Sequence, residues 1–343
     1  MSFSGVHNLD VLRWEQMTDT VRKFPIPGEM WFSKNLFTNR VPLIGTDTAK
    51  WDEISRARKR APFAVRGQPA QRMDLLDRST RTSSIADIFV SKHLKAENIE
   101  YLRTLGSAGD SGGAQMIIAE ELSDLVERVQ WSVEWACVQA ARGSLTVDQS
   151  SSTDFVKSQG VNFTVTFPVT TLNAGADWAT AGTDIYNTEI SAIEAKMVEV
   201  WGGVPGRIVH TRKVMDYLLK NTSIKDMMSE QYKQQLLGSR RLTQIRGINF
   251  YQYDTGDDNS GSFASYFPDD YVLVLPNDNR YFEIHEADAL IPGPNETLIR
   301  SSPGLYSYAK VTHNPVGIEL FVGYRFLPVS RWAERSILVD IDV

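Results

Sequence analysis

From Gly113 to Arg142 one helical period runs unbroken: Ile118, Leu122, Leu125, Val129, Val133 and Ala136 recur at three- and four-residue steps, and Gly143 stands where a C-terminal cap belongs. The spacing predicts a helix of about thirty residues, roughly 45 Å long at 1.5 Å per residue. So long a helix in a chain of 343 residues serves as a spine, and everything else must be arranged around it.

Beyond the spine the pattern turns to strands. Val161, Phe163, Val165 and Phe167 alternate with Asn162, Thr164 and Thr166, the period of a half-buried strand. A second unit begins near Ala176, with a helix over about Thr183–Trp201, a strand at Arg207–His210, and a helix with Thr211 as N-cap carrying Val214, Leu218 and Leu219. Ile248–Tyr253 reads as a strand, Asp254–Ser262 as a polar surface turn, and Tyr271–Leu275, between Pro268 and Pro276, as a buried central strand. In the last forty residues Val316, Ile318, Leu320, Val322, Tyr324 and Phe326 alternate, as do Ile337, Val339, Ile341 and Val343, so the chain is expected to finish inside a sheet.

Ahead of the spine the pattern is different. Residues 1–33 run into Phe24-Pro25-Ile26-Pro27-Gly28 and read as an arm. From Trp31 to Ser84 no helical period persists, and Lys50, Arg56, Arg58, Lys59, Arg60, Arg66, Arg72, Arg78 and Arg81 make a basic excursion inside an acidic protein of net charge −6. A loop this long is uncommon within a compact domain. It predicts a projecting hairpin that packs on a neighbouring copy.

The acidic balance (pI about 5.5) argues against a protein whose task is gripping nucleic acid, since that affinity comes from neutralising phosphates. Apolar runs fall short of the ~20 residues a membrane span needs, and the N-terminus lacks a basic region followed by an apolar one, so a cytoplasmic product is expected. The lone Cys137 excludes an intrachain disulfide and reads as a buried thiol.

Three strings invite an enzymatic reading. Gly109-Asp110-Ser111-Gly112-Gly113 matches the nucleophile loop of trypsin-like proteases, which makes a serine hydrolase acting through Ser111 the rival from another class. Yet His7 and His93 lack the accompanying context and a long helix comes next, so Asp110 and Ser111 read as helix caps. Asp254-Thr255-Gly256 has no second copy to share a proton with, and Asp254, Asp257 and Asp258 lack the spacing of an EF-hand loop. His285-Glu286 lacks the second histidine of the helical zinc motif. No catalytic, metal or cofactor constellation is expected.

The order of parts resembles the lambda-type major capsid proteins, the E family of tailed-phage coats. The resemblance is carried by Arg207-Ile-Val-His-Thr and the helix after it, and by Gly247-Ile-Asn-Phe-Tyr-Gln-Tyr with Phe267-Pro-Asp-Asp-Tyr-Val-Leu-Val-Leu-Pro276. Upstream, Ala61-Pro62-Phe63 resembles the coats' extended loop. The resemblance implies an α+β chain with the tailed-phage coat (Johnson) fold: N-terminal arm 1–33, extended loop 34–85, peripheral domain 86–176 with the spine helix, axial α/β domain 177–300, and returning strands 301–343.

It further implies a capsid protein that joins itself in hexamers and pentamers to form an icosahedral head around double-stranded DNA, assembled in the host cytoplasm and found in the virion. The nearest alternative on the same fold is an encapsulin-like compartment shell; a tail-tube subunit would lack the spine. Implied partners are a scaffold protein, a portal protein and a decoration protein, with packaged DNA touched only loosely and no membrane. A separate scaffold is implied by the missing N-terminal scaffolding region. Inter-subunit contacts are expected through Arg56, Arg58, Lys59, Arg60 and Arg66 on the loop and through Asp254, Asp257 and Asp258 near the capsomer axis, with Lys50 and Lys59 the formal candidates for crosslinking.

Overall fold

The structure, a computed structural model, describes residues 14–55, 77–95, 111–147, 162–228, 242–258, 261–292, 297–313 and 316–342. The spine helix spans Ser111–Arg142. All six apolar residues of its period are buried. Its last three turns are enclosed almost all round, with Cys137, Val138, Ala140 and Ala141 out of solvent. Gly143 ends it at φ +105°, a conformation that favours glycine, and the N–H of Gly143 reaches Ala140 O (3.2 Å).

Two sheets flank this helix. The first has five strands: Asn39–Leu43, Phe282–Ala287, Val316–Ser330 and Tyr306–His313 in order, with Ala86–Lys95 on the far side of the long strand Val316–Ser330. Alternation along the long strand sends Ile318, Leu320, Val322 and Tyr324 into the core that holds the spine's apolar stripe. Gly317, Phe321 and Gly323 belong to the opposite face, where Phe89, Tyr308 and Phe321 stack. The free edge of Tyr306–His313 is covered by the helix Trp14–Lys23: the Thr18 hydroxyl donates to Ser307 O (3.1 Å) and accepts from Ser307 N (3.2 Å).

The second sheet has six strands in the order Thr170–Asn173, Ile337–Asp340, Tyr271–Leu275, Arg207–His210, Ile248–Gln252 and Gln244–Ile245. Tyr271–Leu275 is apolar throughout because each face meets a different core. Leu273 and Leu275 join the spine's core, while Val272 and Val274 join a second core with Ile208, Phe250, Ile337 and Val339, packed under the helices Ile190–Val200 and Arg212–Lys220. The sheet is a wall shared by two lobes.

Local differences from the sequence reading have physical causes. Residues 39–43, which the sequence placed in the basic excursion, run parallel to Phe282–Ala287 in the first sheet, because Phe32, Leu36 and Phe37 just before them are fully buried. The helix expected from Thr183 opens with a π-turn at Ile185–Glu189, capped by Asp184 through Asn187 N (3.1 Å). Thr211 occupies an N-cap position (φ −86°, ψ 172°), but its hydroxyl makes no capping bond. The Asp254 carboxylate accepts the Arg212 N–H instead (2.6 Å), from a strand end 42 residues along the chain.

Candidate functional site

The root of the basic excursion is an antiparallel ladder, Thr48–Ser55 against Asp77–Ser84, in register from Thr48 opposite Ser84 to Ser55 opposite Asp77. Arg56, Arg58, Lys59, Arg60 and Arg66 lie outside the described residues. At the root Trp51 is buried beside Phe167 (6.2 Å between rings) and His285 (6.5 Å), which fixes the ladder to the first core. On the Trp51 face Arg81 pairs with Glu53 (2.8 Å); on the opposite face Thr80 donates to Asp52 (2.9 Å), and Lys50 and Arg78 are exposed.

The acidic turn is divided between structure and surface. Asp254 is committed to the helix cap and also accepts from Gln252. Asp257 lies in a two-residue ladder, Gly256–Asp257 with Ala264–Ser265, and with burial its charge pushes up the Tyr266 phenol. Asp258 is exposed, and the nearby Phe263 shows a large apolar side chain to solvent. Thr255 Oγ1 donates to Glu29 O (2.9 Å), so the turn is moored to the N-terminal segment.

The enzyme-like strings fall into structural positions. Ser111 is the first residue of the spine helix, and the preceding Gly109-Asp110 lies outside the described residues. The His285 ring is buried with Nε2 3.5 Å from Glu283, which also accepts from Arg331 (3.1 Å). Glu286 accepts from the Tyr324 hydroxyl (2.6 Å) and faces Arg40 (3.4 Å). Cys137 is fully buried, and that burial pushes its thiol well above the usual range, away from nucleophilic thiolate. Among the described residues no group of three or more His, Cys, Asp or Glu could hold a metal ion, and no helix is long and apolar enough to cross a membrane. A cleft of about 290 Å³ between the first helix, the spine and the first sheet has its charged walls satisfied internally: Arg22 donates to Leu305 O, Ser302 and Pro303 O, and Arg40 to Tyr324.

Sequence reasoning missed the buried carboxylate that joins three parts of the fold. Glu134, wholly buried on the spine, accepts the N–H groups of Phe32 (2.8 Å) and Ser33 (2.7 Å) and the hydroxyl of Tyr253 (2.9 Å). Burial raises its pKa above the ordinary carboxylate value, and the donated hydrogen bonds only partly offset that. Trp31 packs on Tyr251 (4.5 Å) and Phe32 on Tyr253 (4.9 Å) around it. The one signal in the sequence was an acid inside the apolar run Val133-Glu134-Trp135-Ala136-Cys137.

The spine's solvent face is acidic. Glu120 and Glu127 are exposed, while Glu121 and Asp124 hold Lys92, and Asp124 also holds Arg128 (3.0 Å).

Comparison with known proteins agrees with this arrangement of parts. The family model described as phage major capsid protein E matches residues 13–331. The fold is similar to a protein described as the capsid protein of a prophage of E. coli CFT073 (TM-score 0.60, 12% identity, 96% of this chain and 99% of that one). It is also similar to a phage-related protein of Bordetella bronchiseptica RB50 (0.51, 14%, 95% of each chain) and to the mature capsid of bacteriophage PhiM1 (0.51, 12%, 88% and 85%). At these identities the structural likeness speaks for the fold alone. No curated protein matches the sequence.

Proposed function

The chain belongs to the phage major capsid protein E family, and we propose that its copies join as hexamers and pentamers into an icosahedral head around double-stranded DNA. Its role as a structural protein of the virion that associates with itself follows from the family. The observation that carries the reading is the match over residues 13–331, which takes in the spine, the hairpin and most of both cores. In the proposed shell the second lobe gathers at the capsomer axis with Asp257 and Asp258 near its tip, and the spine and first sheet form the outer frame.

The basic hairpin, with Arg56, Arg58, Lys59, Arg60 and Arg66, would lie over an adjacent copy. The acidic face of that copy's spine, at Glu120 and Glu127, is the surface whose charge suits it. A free loop of this length cannot offset its own ordering entropy, whereas a loop ordered by a neighbour can. Assembly in the host cytoplasm with separate scaffold, portal and decoration proteins completes the proposal, and DNA inside is touched only loosely because the chain is acidic overall.

Negative-stain electron microscopy with sedimentation, on the protein alone and with a scaffold encoded beside it, tests this. Closed shells, or rings of five and six, are the expected result. A persistent monomer with peptidase activity lost on Ser111→Ala overturns it.

A further inference from the structure

The cleft between the first helix, the spine and the first sheet, about 290 Å³, is of the size that takes a small ligand. One wall is a stripe of the spine, Val129, Gln130 and Val133, and Phe24, Ile26, Pro303 and Leu305 make most of the rest apolar. The wall is held from behind, because Glu134, next to Val133 on the spine, takes the N–H groups of Phe32 and Ser33. Gly304 keeps space open opposite. It stands at φ +109°, and a Cβ there would lie 3.3 Å from Glu286 Oε2 and 3.6 Å from Arg22 Nη2.

Two features separate this cleft from a surface furrow. Gln130 is only 8% exposed, yet its amide has no hydrogen-bond partner among the described residues. The amide atoms are not sealed off either, so what they open on is the cleft. A polar side chain this deeply buried costs stability until something bonds it. The second feature is charge. Arg40 lies 3.4 Å from Glu286, which also accepts from the Tyr324 hydroxyl (2.6 Å), so that cation is balanced. Arg22 has its hydrogen bonds but no counter-charge: it donates to neutral oxygens of Ser302, Pro303 and Leu305, and among the described residues no acid pairs with it. Two cations and one acid therefore line the cleft, and one positive charge is left over.

We propose that the cleft is a binding site for a small monoanion with an apolar body, namely the carboxylate of a short fatty or aryl acid, or of a peptide ending in an apolar residue. The carboxylate accepts from the Gln130 amide within the field of Arg22, and the body lies on Phe24, Ile26, Val129 and Leu305. Charge selects one acid group: an ammonium ligand meets Arg22 with like charge, and a dianion brings more charge than the wall balances. Such a ligand touches the N-terminal segment, the spine and the loop before Tyr306 together and holds them to one another. The site lies within a single copy and does not depend on assembly.

Calorimetric titration of the full chain with phenylbutyrate, and with its uncharged analogue phenylbutyramide, tests this. We expect saturable binding of the acid, with affinity about tenfold lower for the amide on the parent chain and about tenfold lower for the acid on Gln130→Leu. Ile26→Trp fills the cleft from its half-buried side, and binding should vanish while circular dichroism and the urea midpoint stay those of the parent. The comparison of acid with amide needs no variant, so the test stands whether or not Ile26→Trp folds. The peptide acetyl-Ala-Ala-Leu with a free carboxylate separates the sources: tighter binding than phenylbutyrate assigns the site to a chain terminus, weaker binding to a free acid. No saturable binding of either acid at millimolar concentration overturns the site, as does binding that Gln130→Leu and Ile26→Trp both leave unchanged. Equal affinity for acid and amide overturns the choice of a monoanion.

Discussion

The two cores are built over different distances along the chain. Around the spine, polar links join residues far apart: Glu134 to Phe32 across 102 positions, Tyr253 to Glu134 across 119, and Thr18 to Ser307 across 289. In the second lobe they are shorter: Glu189 accepts from Gly175 across 14, and Asn221 donates to Thr183 across 38 while capping the next helix through Ile224 N. Apart from the late strand Ile337–Asp340, which closes it against Thr170–Asn173, the second lobe is close to a local α/β unit, whereas the first is a closure of the whole chain on one helix. Tyr271–Leu275 belongs to both, and through it neither core can loosen without the other.

The strongest way to break this comparison is at Glu134. Glu134→Ala leaves two N–H groups and a phenol unpaired in the interior and is expected to cost about 4 kcal/mol in urea unfolding, at 1–3 kcal/mol per orphaned group. A loss under about 1 kcal/mol would mean the carboxylate does not hold the closure. The same residue has a pH signature. Its raised native pKa means the folded state keeps the proton longer than the unfolded chain, so its contribution is most favourable at low pH. Stability should fall as pH rises from the ordinary carboxylate value through the raised one, and Glu134→Gln should flatten that fall.

Next in size is the shared wall. Leu273→Ala empties space in the first core and Val274→Ala in the second, with expected losses of about 3 and about 2 kcal/mol. Both should shift one common thermal transition, and a separate transition for either lobe would refute the wall. Smaller is the helix cap: Asp254→Ala is expected to cost about 1 kcal/mol, while Thr211→Ala stays within about 0.5 kcal/mol. The reverse order would restore the cap to Thr211. Smallest is the hairpin root, where Arg81→Ala removes a half-exposed pair with Glu53 and should change monomer stability by about 1 kcal/mol at most.

Legibility in the sequence divided along the same line. Arg207–His210 and Tyr271–Leu275 stand at the bounds their patterns predicted, and the spine begins only two residues before its expected start. The candidate contacts were less legible. The loop's arginines announced a charged excursion by composition alone, but Asp254 looked like its neighbours in an acidic turn and is in fact a cap. The cleft gave no signal, since Arg22, Gln130 and Gly304 lie far apart along the chain and carry no mark of sharing a wall until the fold is known.

By itself the sequence determined what periodicity determines: the long helix, the alternating strands and the order in which they come. These are local, because a side chain's face repeats every 3.6 or 2 residues whatever lies across from it. Only the tertiary structure decided which carboxylate would close the first core, which aspartate would cap a distant helix, and which residues would line one cleft. Each depends on a partner tens to hundreds of residues away, and no local pattern encodes the position of a group that folding alone brings near.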